Sequence, residues 1–242
     1  MSRSDSEGTA QPVLAATDVS SGYGSTPVIT GINIHVMPGE VVAVLGANGA
    51  GKSTTLFTLA GVLPVKKGRV ELFGEAVTGP LHQRSRAGLG FVPEGRSVVA
   101  GLSVQDNLRL ASKQHASVLE LFPELKPLMK RKAGQLSGGE QQILSLARCL
   151  CREPRVILVD EISLGLAPQV TTRVLDALIG VAHQMSVGVV LVEQHIHAAL
   201  ASSARAYILQ RGKVVLEGDS PDLLDRIDDI KEAYISTAER PD

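Results

Sequence analysis

Apolar positions fall along this chain in three kinds of pattern, and each predicts a different element. Ile32, Ile34 and Val36 alternate with Asn33 and His35, as in a half-buried antiparallel strand. Val41–Leu45, Val156–Val159 and Val187–Val192 (with Gly188 inside) are near-unbroken apolar runs of strand length, the signature of parallel strands covered on both faces. Residues from about 95 to 150 read mostly as helix. There Ser103 and Asp106 have the spacing of a capping box, with Asp in place of Glu, and open a helix through Ala111. Pro123 and Pro127 interrupt the next segment. The α/β pattern then resumes, with a helix from about Pro168 to Gln184. Pro38-Gly39, Gly74-Glu75 and Arg211-Gly212 carry turn chemistry. The expectation is an α/β domain over 13–238, with a parallel sheet, an antiparallel β subdomain and a helical insert at about 95–150. A polar tail over 1–12 is expected to be disordered.

Composition excludes several functions. The net charge of −1 draws the chain neither to nucleic acid nor to anionic lipid, and aromatics at 3% with no Trp offer no stacking platform for bases. No run approaches the roughly 20 apolar residues of a membrane span, so direct membrane insertion is not expected. The start has no apolar stretch of the kind a secretion signal needs. Cys149 and Cys151, one residue apart in a helical pattern, read as buried small hydrophobes. The expected compartment is cytosolic.

The chemistry begins at the end of the first apolar strand. Gly46, Ala47, Asn48, Gly49, Ala50, Gly51, Lys52, Ser53 and Thr54 fit G-x-x-x-x-G-K-[ST], between a buried strand and a helix. Glycines let backbone N–H groups curl around phosphates, and the helix start adds positive potential. Lys52 would reach the β- and γ-phosphates, and the Ser53 hydroxyl would ligate Mg²⁺. Downstream, the strand Val156–Val159 ends in two carboxylates: Asp160, suited to the metal shell, and Glu161, suited to polarise an attacking water. These motifs predict an ATPase.

Between them lies LSGGEQQ, Leu136 to Gln142, opening a helix. Together with the two motifs above it resembles the ATP-binding cassette (ABC) family, over nearly the whole chain from Tyr23 onward. The resemblance implies that two cassettes pack head to tail, each signature loop closing over the other's nucleotide. Ser137, Gly138, Gly139 and Glu140 would thus serve a partner's ATP. By the same resemblance, Tyr23 would stack on adenine, and Ser163-Leu164-Gly165-Leu166 would cross the dimer interface. GFVPEGRSVVAGLSVQDNL (Gly90 to Leu108), SLGLAP (Ser163 to Pro168), VEQ (Val192 to Gln194) and the ending EAYIS are similar to the second ATPase of branched-chain amino acid importers, the LivF type. This implies a paralogous ATPase or a second copy, two permease subunits and an external solute-binding protein as partners. It also implies a place on the cytoplasmic face of the membrane.

Three positions depart from the general cassette pattern. Glu94 stands where a Gln usually meets Mg²⁺ and the membrane subunit, Ile162 replaces the proline after the catalytic acid, and Gln194 occupies the switch-histidine position. Gln194, rather than His195, is expected at the γ-phosphate unless a one-residue bulge intervenes. Lys126, Lys130, Arg131 and Lys132 read as a solvated helix face, and His183, His195 and His197 lack metal-site spacing. The competing classes are a sister importer for urea or amides, and a soluble ABC protein acting on nucleic acid or ribosomes. The second fits poorly with a single compact cassette that has no heptad run.

Overall fold

The computed structural model describes residues 11–95 and 97–228. Most of the expected tail, the end of the expected domain and the EAYIS string lie outside the described residues. Two sheets organise the chain. In one, β1 (Leu14–Ser21), β2 (Ile29–Val36), β4 (Lys67–Leu72) and β5 (Glu75–Ala76) are antiparallel in the order β2-β1-β4-β5. In the other, β6 (Leu89–Val92), β7 (Val156–Asp160), β8 (Gly188–Val192), β3 (Val41–Leu45) and β9 (Arg205–Gln210) lie side by side and parallel. A hairpin at Arg211-Gly212 adds β10 (Lys213–Asp219) at the edge, antiparallel to β9. Every residue of β3, β7 and β8 is buried, so these segments show no alternation.

The helix after β3 is held at both ends. α1 (Lys52–Ala60) begins at Gly51, whose φ of 102° favours glycine, and a Cβ there would stand 2.8 Å from Cγ2 of Ile29. At its far end the buried Arg84, on α2 (Leu81–Arg86), donates to the carbonyls of Thr58 and Leu59 at 3.0 and 2.7 Å. These are carbonyls a helix end leaves without an intrahelical partner. Lys52 and Ser53 therefore sit on a helix with little freedom to shift.

Between β6 and β7 lie α3 (Val104–Ala111), α4 (Ala116–Leu121), two 3₁₀ stretches (Pro123–Leu128 and Ala133–Gln135) and α5 (Gly138–Leu150). Ser103 caps α3 as expected: its Oγ accepts from Asp106 N–H at 3.1 Å and donates to Asp106 Oδ2 at 2.6 Å. Fully buried Asn107 pins the preceding loop, accepting from Val99 N–H at 2.8 Å and donating to the carbonyls of Val99 and Ser103, both at 3.0 Å. The basic cluster is solvent-exposed but not a helix face. Lys126 lies in the 3₁₀ stretch that carries Pro123 and Pro127, Lys130 and Arg131 in the turn after it, and Lys132 in an isolated bridge to Ser103.

α6 (Pro168–Met185), close to the span expected, buries Val174, Leu175, Leu178, Val181 and Ala182 along one stripe of 3.6-residue period. It packs with α5 over one face of the parallel sheet, and α1 fills the space between the two sheets. α7 (Ile196–Ala201) and α8 (Ser220–Asp225) cover β3 and β9 on the same face of the parallel sheet as α5 and α6. No described helix is long and apolar enough to cross a membrane.

Candidate active site

β8 lies between the parallel strands β3 and β7, so the loops after all three leave the same edge of the sheet close together. Beyond β3 the loop folds on itself, with Ala50 N–H donating to Ala47 O at 3.0 Å. Ala50 O in turn accepts from Gly212 N–H at 2.9 Å, which ties the loop to the β9–β10 hairpin. The Lys52 ammonium donates to Gly46 O at 2.8 Å and to Ala47 O at 3.4 Å, and stands 3.8 Å from Glu161 Oε1. Burial lowers its pKa, while Glu161 and Asp160 act to raise it.

β7 delivers the carboxylates. Asp160, 2% exposed, accepts a long hydrogen bond from Ser53 Oγ at 3.5 Å. Burial first, then repulsion from Glu161 and Glu94, pushes its carboxyl up to about 6, with Ser53 and Lys52 pulling the other way. The chain turns sharply at Glu161, whose φ of 43° lies in the left-handed region. For a non-glycine residue that costs about 1–2 kcal/mol, and neighbouring bonds must hold it. They come from β8: Glu161 N–H donates to Val192 O at 2.9 Å, and Gln194 Nε2 donates to both Glu161 carboxylate oxygens at 3.0 and 2.9 Å.

β7 and β8 pair in continuous register from Val156↔Gly188 to Asp160↔Val192, with no bulge. Two residues beyond that ladder, Gln194 lines the cleft, while His195 is exposed at the N-cap of α7. The cleft, about 380 Å³, is lined by Asn48, Gly49, Gly51, Lys52, Ser53, Thr54, Glu94, Glu161 and Gln194 from the expected set. Val28 and Leu164 join them, both exposed. Val28 carries no motif that sequence reading could have used.

Other expected residues stand apart. Tyr23 is 57% exposed on the turn after β1 and does not line the cleft. Ser137, Gly138, Gly139 and Glu140 open α5 and do not line it either. Glu140 acts locally in a capping box: its Oε2 accepts from Ser137 N–H at 2.7 Å, and Ser137 Oγ accepts from Glu140 N–H at 3.3 Å. A Cβ on Gly139 would run into Val170 Cγ1, so this glycine lets α5 and α6 approach closely. Cys149 and Cys151 are free, and burial pushes their thiols up to about 12 and about 11, as inert core residues.

One further acid escaped sequence reading. Glu193, 1% exposed, accepts from Ser163 N–H with Oε1 at 3.1 Å and from Ser163 Oγ with Oε2 at 2.7 Å. Burial raises its pKa, against those bonds. The neighbouring Ile162 is buried in the core beside α5 and α6. Stiffness at the position of the missing proline therefore comes from packing and from the Glu193–Ser163 bonds.

A strand–loop–helix phosphate cradle beside an acid-ended parallel strand defines a P-loop nucleotide hydrolase. The sequence pattern of the ABC transporter family matches residues 29–163. Along 92% of the chain and 99% of the relative, it is 37% identical to the high-affinity branched-chain amino acid transport ATP-binding protein BraG of Pseudomonas aeruginosa. It is 34% identical to an Archaeoglobus fulgidus protein named for the branched-chain amino acid transport ATP-binding protein LivF, covering 88% of this chain and 94% of the relative. The lipopolysaccharide export system ATP-binding protein LptB of Escherichia coli is 30% identical, over 92% of this chain and 96% of LptB. Among solved structures, an ATP-binding cassette of an ABC transporter in its ADP conformation superposes with a TM-score of 0.85 at 22% identity, covering 93% of this chain and 99% of that one. The chain belongs to the ABC transporter family, as an ATP-binding and ATP-hydrolysing cassette.

Proposed function

We propose that this cassette powers import of branched-chain or similar small neutral amino acids. It would act at the cytoplasmic face of a membrane with two permease subunits, a second cassette (a paralogue or another copy) and an external solute-binding protein. The 37% identity with BraG along nearly all of both chains carries this reading. Deleting the gene should reduce uptake of labelled leucine at low external concentration. Unchanged leucine uptake with lost urea or amide uptake would assign the chain to a sister importer. Impaired lipopolysaccharide export instead would align it with LptB.

Within the site, the loop 46–54 holds the phosphates and Lys52 bridges them, while Tyr23 meets the adenine. Ser53 and Asp160 are the residues that would hold Mg²⁺, with Glu94 able to join. The crowding of Asp160, Glu161 and Glu94 that raises the Asp160 pKa is charge a cation relieves, which fits this assignment. No group of three or more His, Cys, Asp or Glu among the described residues could cage a metal by itself. That suits Mg²⁺, which takes few protein ligands and shares phosphate oxygens. When bound, it would neutralise charge growing on the phosphates. Glu161 accepts the proton of the attacking water, and Gln194 fixes its carboxylate by two hydrogen bonds while presenting an amide that does not titrate.

Gln194→Ala is therefore expected to lower steady-state ATPase by about 10²-fold, the scale of one lost electrostatic donor. His195→Ala, at an exposed cap, should stay within about twofold, like other surface changes. The reverse pattern in a parallel assay would make His195 the switch.

A further inference from the structure

We infer that Glu193 is a positioning residue for hydrolysis, setting the Glu161 turn through its grip on Ser163; this rests on the reading of Glu161 as the general base. Just beyond β8 stand two consecutive side chains that reach the same turn from two directions. Gln194 takes the Glu161 carboxylate, and Glu193 takes the backbone and hydroxyl of Ser163, two residues further on. Glu161 sits between these grips with φ at 43°, a conformation that relaxes unless its neighbours are held. Ile162 offers no ring to lock the backbone, so the constraint falls to its packing in the core and to the grip on Ser163. A buried carboxylate is a costly way to make two hydrogen bonds, and an apolar side chain would fill the same space more cheaply. Its place beside the reacting groups, with both oxygens on Ser163, points to geometry rather than stability. Ser163 also leads into Leu164, which is exposed and lines the cleft, so the same grip sets where that loop enters the site.

The test compares Glu193→Ala, Glu193→Gln, Ser163→Ala and the double variant Glu193→Ala/Ser163→Ala, all in the full-length chain within its assembled transporter. Losing the grip should lower kcat about tenfold or more, since small misplacements of catalytic groups are costly, with affinity for a fluorescent ATP analogue within about twofold. Glu193→Gln should recover turnover to within about threefold, because its amide can accept from Ser163 N–H and donate to Ser163 Oγ. The double variant should be no worse than Glu193→Ala, the non-additivity of two residues acting as one unit. A merely structural carboxylate would lower the melting temperature without this kcat-only loss. Should Glu193→Ala fail to fold, Ser163→Ala and Glu193→Gln carry the comparison. The inference is overturned if Glu193→Ala keeps the parental kcat, if Glu193→Gln is as impaired as Glu193→Ala, or if the two losses add. Glu161→Gln measured alongside separates the two readings. If it retains parental turnover, the general-base reading fails. If it is inactive while Glu193→Ala is fully active, only the inference about Glu193 fails.

Discussion

Replacing Glu161 by Gln is expected to leave ATP bound and nearly stop its hydrolysis. The substitution keeps the shape of the side chain and one of the two bonds from Gln194, but replaces the other acceptor oxygen with an amide NH2 and leaves no group that can take a proton. Loss of a positioned general base lowers turnover by about 10²- to 10⁴-fold. Binding should survive, because the loop 46–54 and Lys52 are untouched. The nearest cation, Lys52, stands 3.8 Å from Glu161 Oε1 and also bonds to Gly46 and Ala47, so it retains anchors when the charge at 161 is removed. Affinity measured by nucleotide fluorescence and turnover measured by phosphate release separate the two effects. Parental turnover in the assembled transporter would mean that another group takes the proton. Asp160 would then be examined first, since it lies beside Glu161 with its pKa raised to about 6.

Ser137→Arg is expected to abolish ATPase while leaving the chain's own nucleotide affinity intact. Ser137 is exposed at the start of α5, and its cap box with Glu140 leaves the first-turn N–H groups of Gly138 and Gly139 at the positive end of a 13-residue helix. None of these residues lines the chain's own cleft, so a phosphate meeting them would be bound mainly by another cassette. An arginine there puts bulk where a partner's nucleotide would close against the helix. Its folding cost should be only about 1 kcal/mol, the scale of a lost cap. Turnover should fall by about 10²-fold or more, as when transition-state donors are removed, with Kd for the nucleotide within about twofold. Parental specific activity should also rise with concentration or on adding the partner cassette. Activity that is independent of dilution and indifferent to Ser137→Arg would show each chain working alone.

Much of this protein was legible where chemistry is contiguous. The phosphate loop, the acids at the end of β7, the Ser103–Asp106 cap and the span of α6 each lie within one short stretch of chain, and local rules of spacing and periodicity decide them. The buried strands showed because both faces are covered. β1 escaped notice although it pairs with both β2 and β4. Its register is irregular between Ala16 and Val19, and LAATDVSS has no clean alternation.

The rest depended on contacts between distant segments. Arg84 meets the end of α1 from 25 and 26 residues away, and one of two arginines in a mostly polar hexamer gives no hint of that. Glu193 reads as one polar letter in VEQ, yet 30 residues separate it from the Ser163 it holds. Whether Gln194 or His195 faces the cleft was open in the sequence; in the structure Gln194 lines it and bonds Glu161, while His195 is exposed. Sequence by itself determined which groups can do the chemistry, because side-chain type and local backbone are properties of neighbours in the chain. Tertiary structure decided which of them meet, which are buried into altered pKa values and which only cap a helix, because those depend on where the sheet brings its strand ends together.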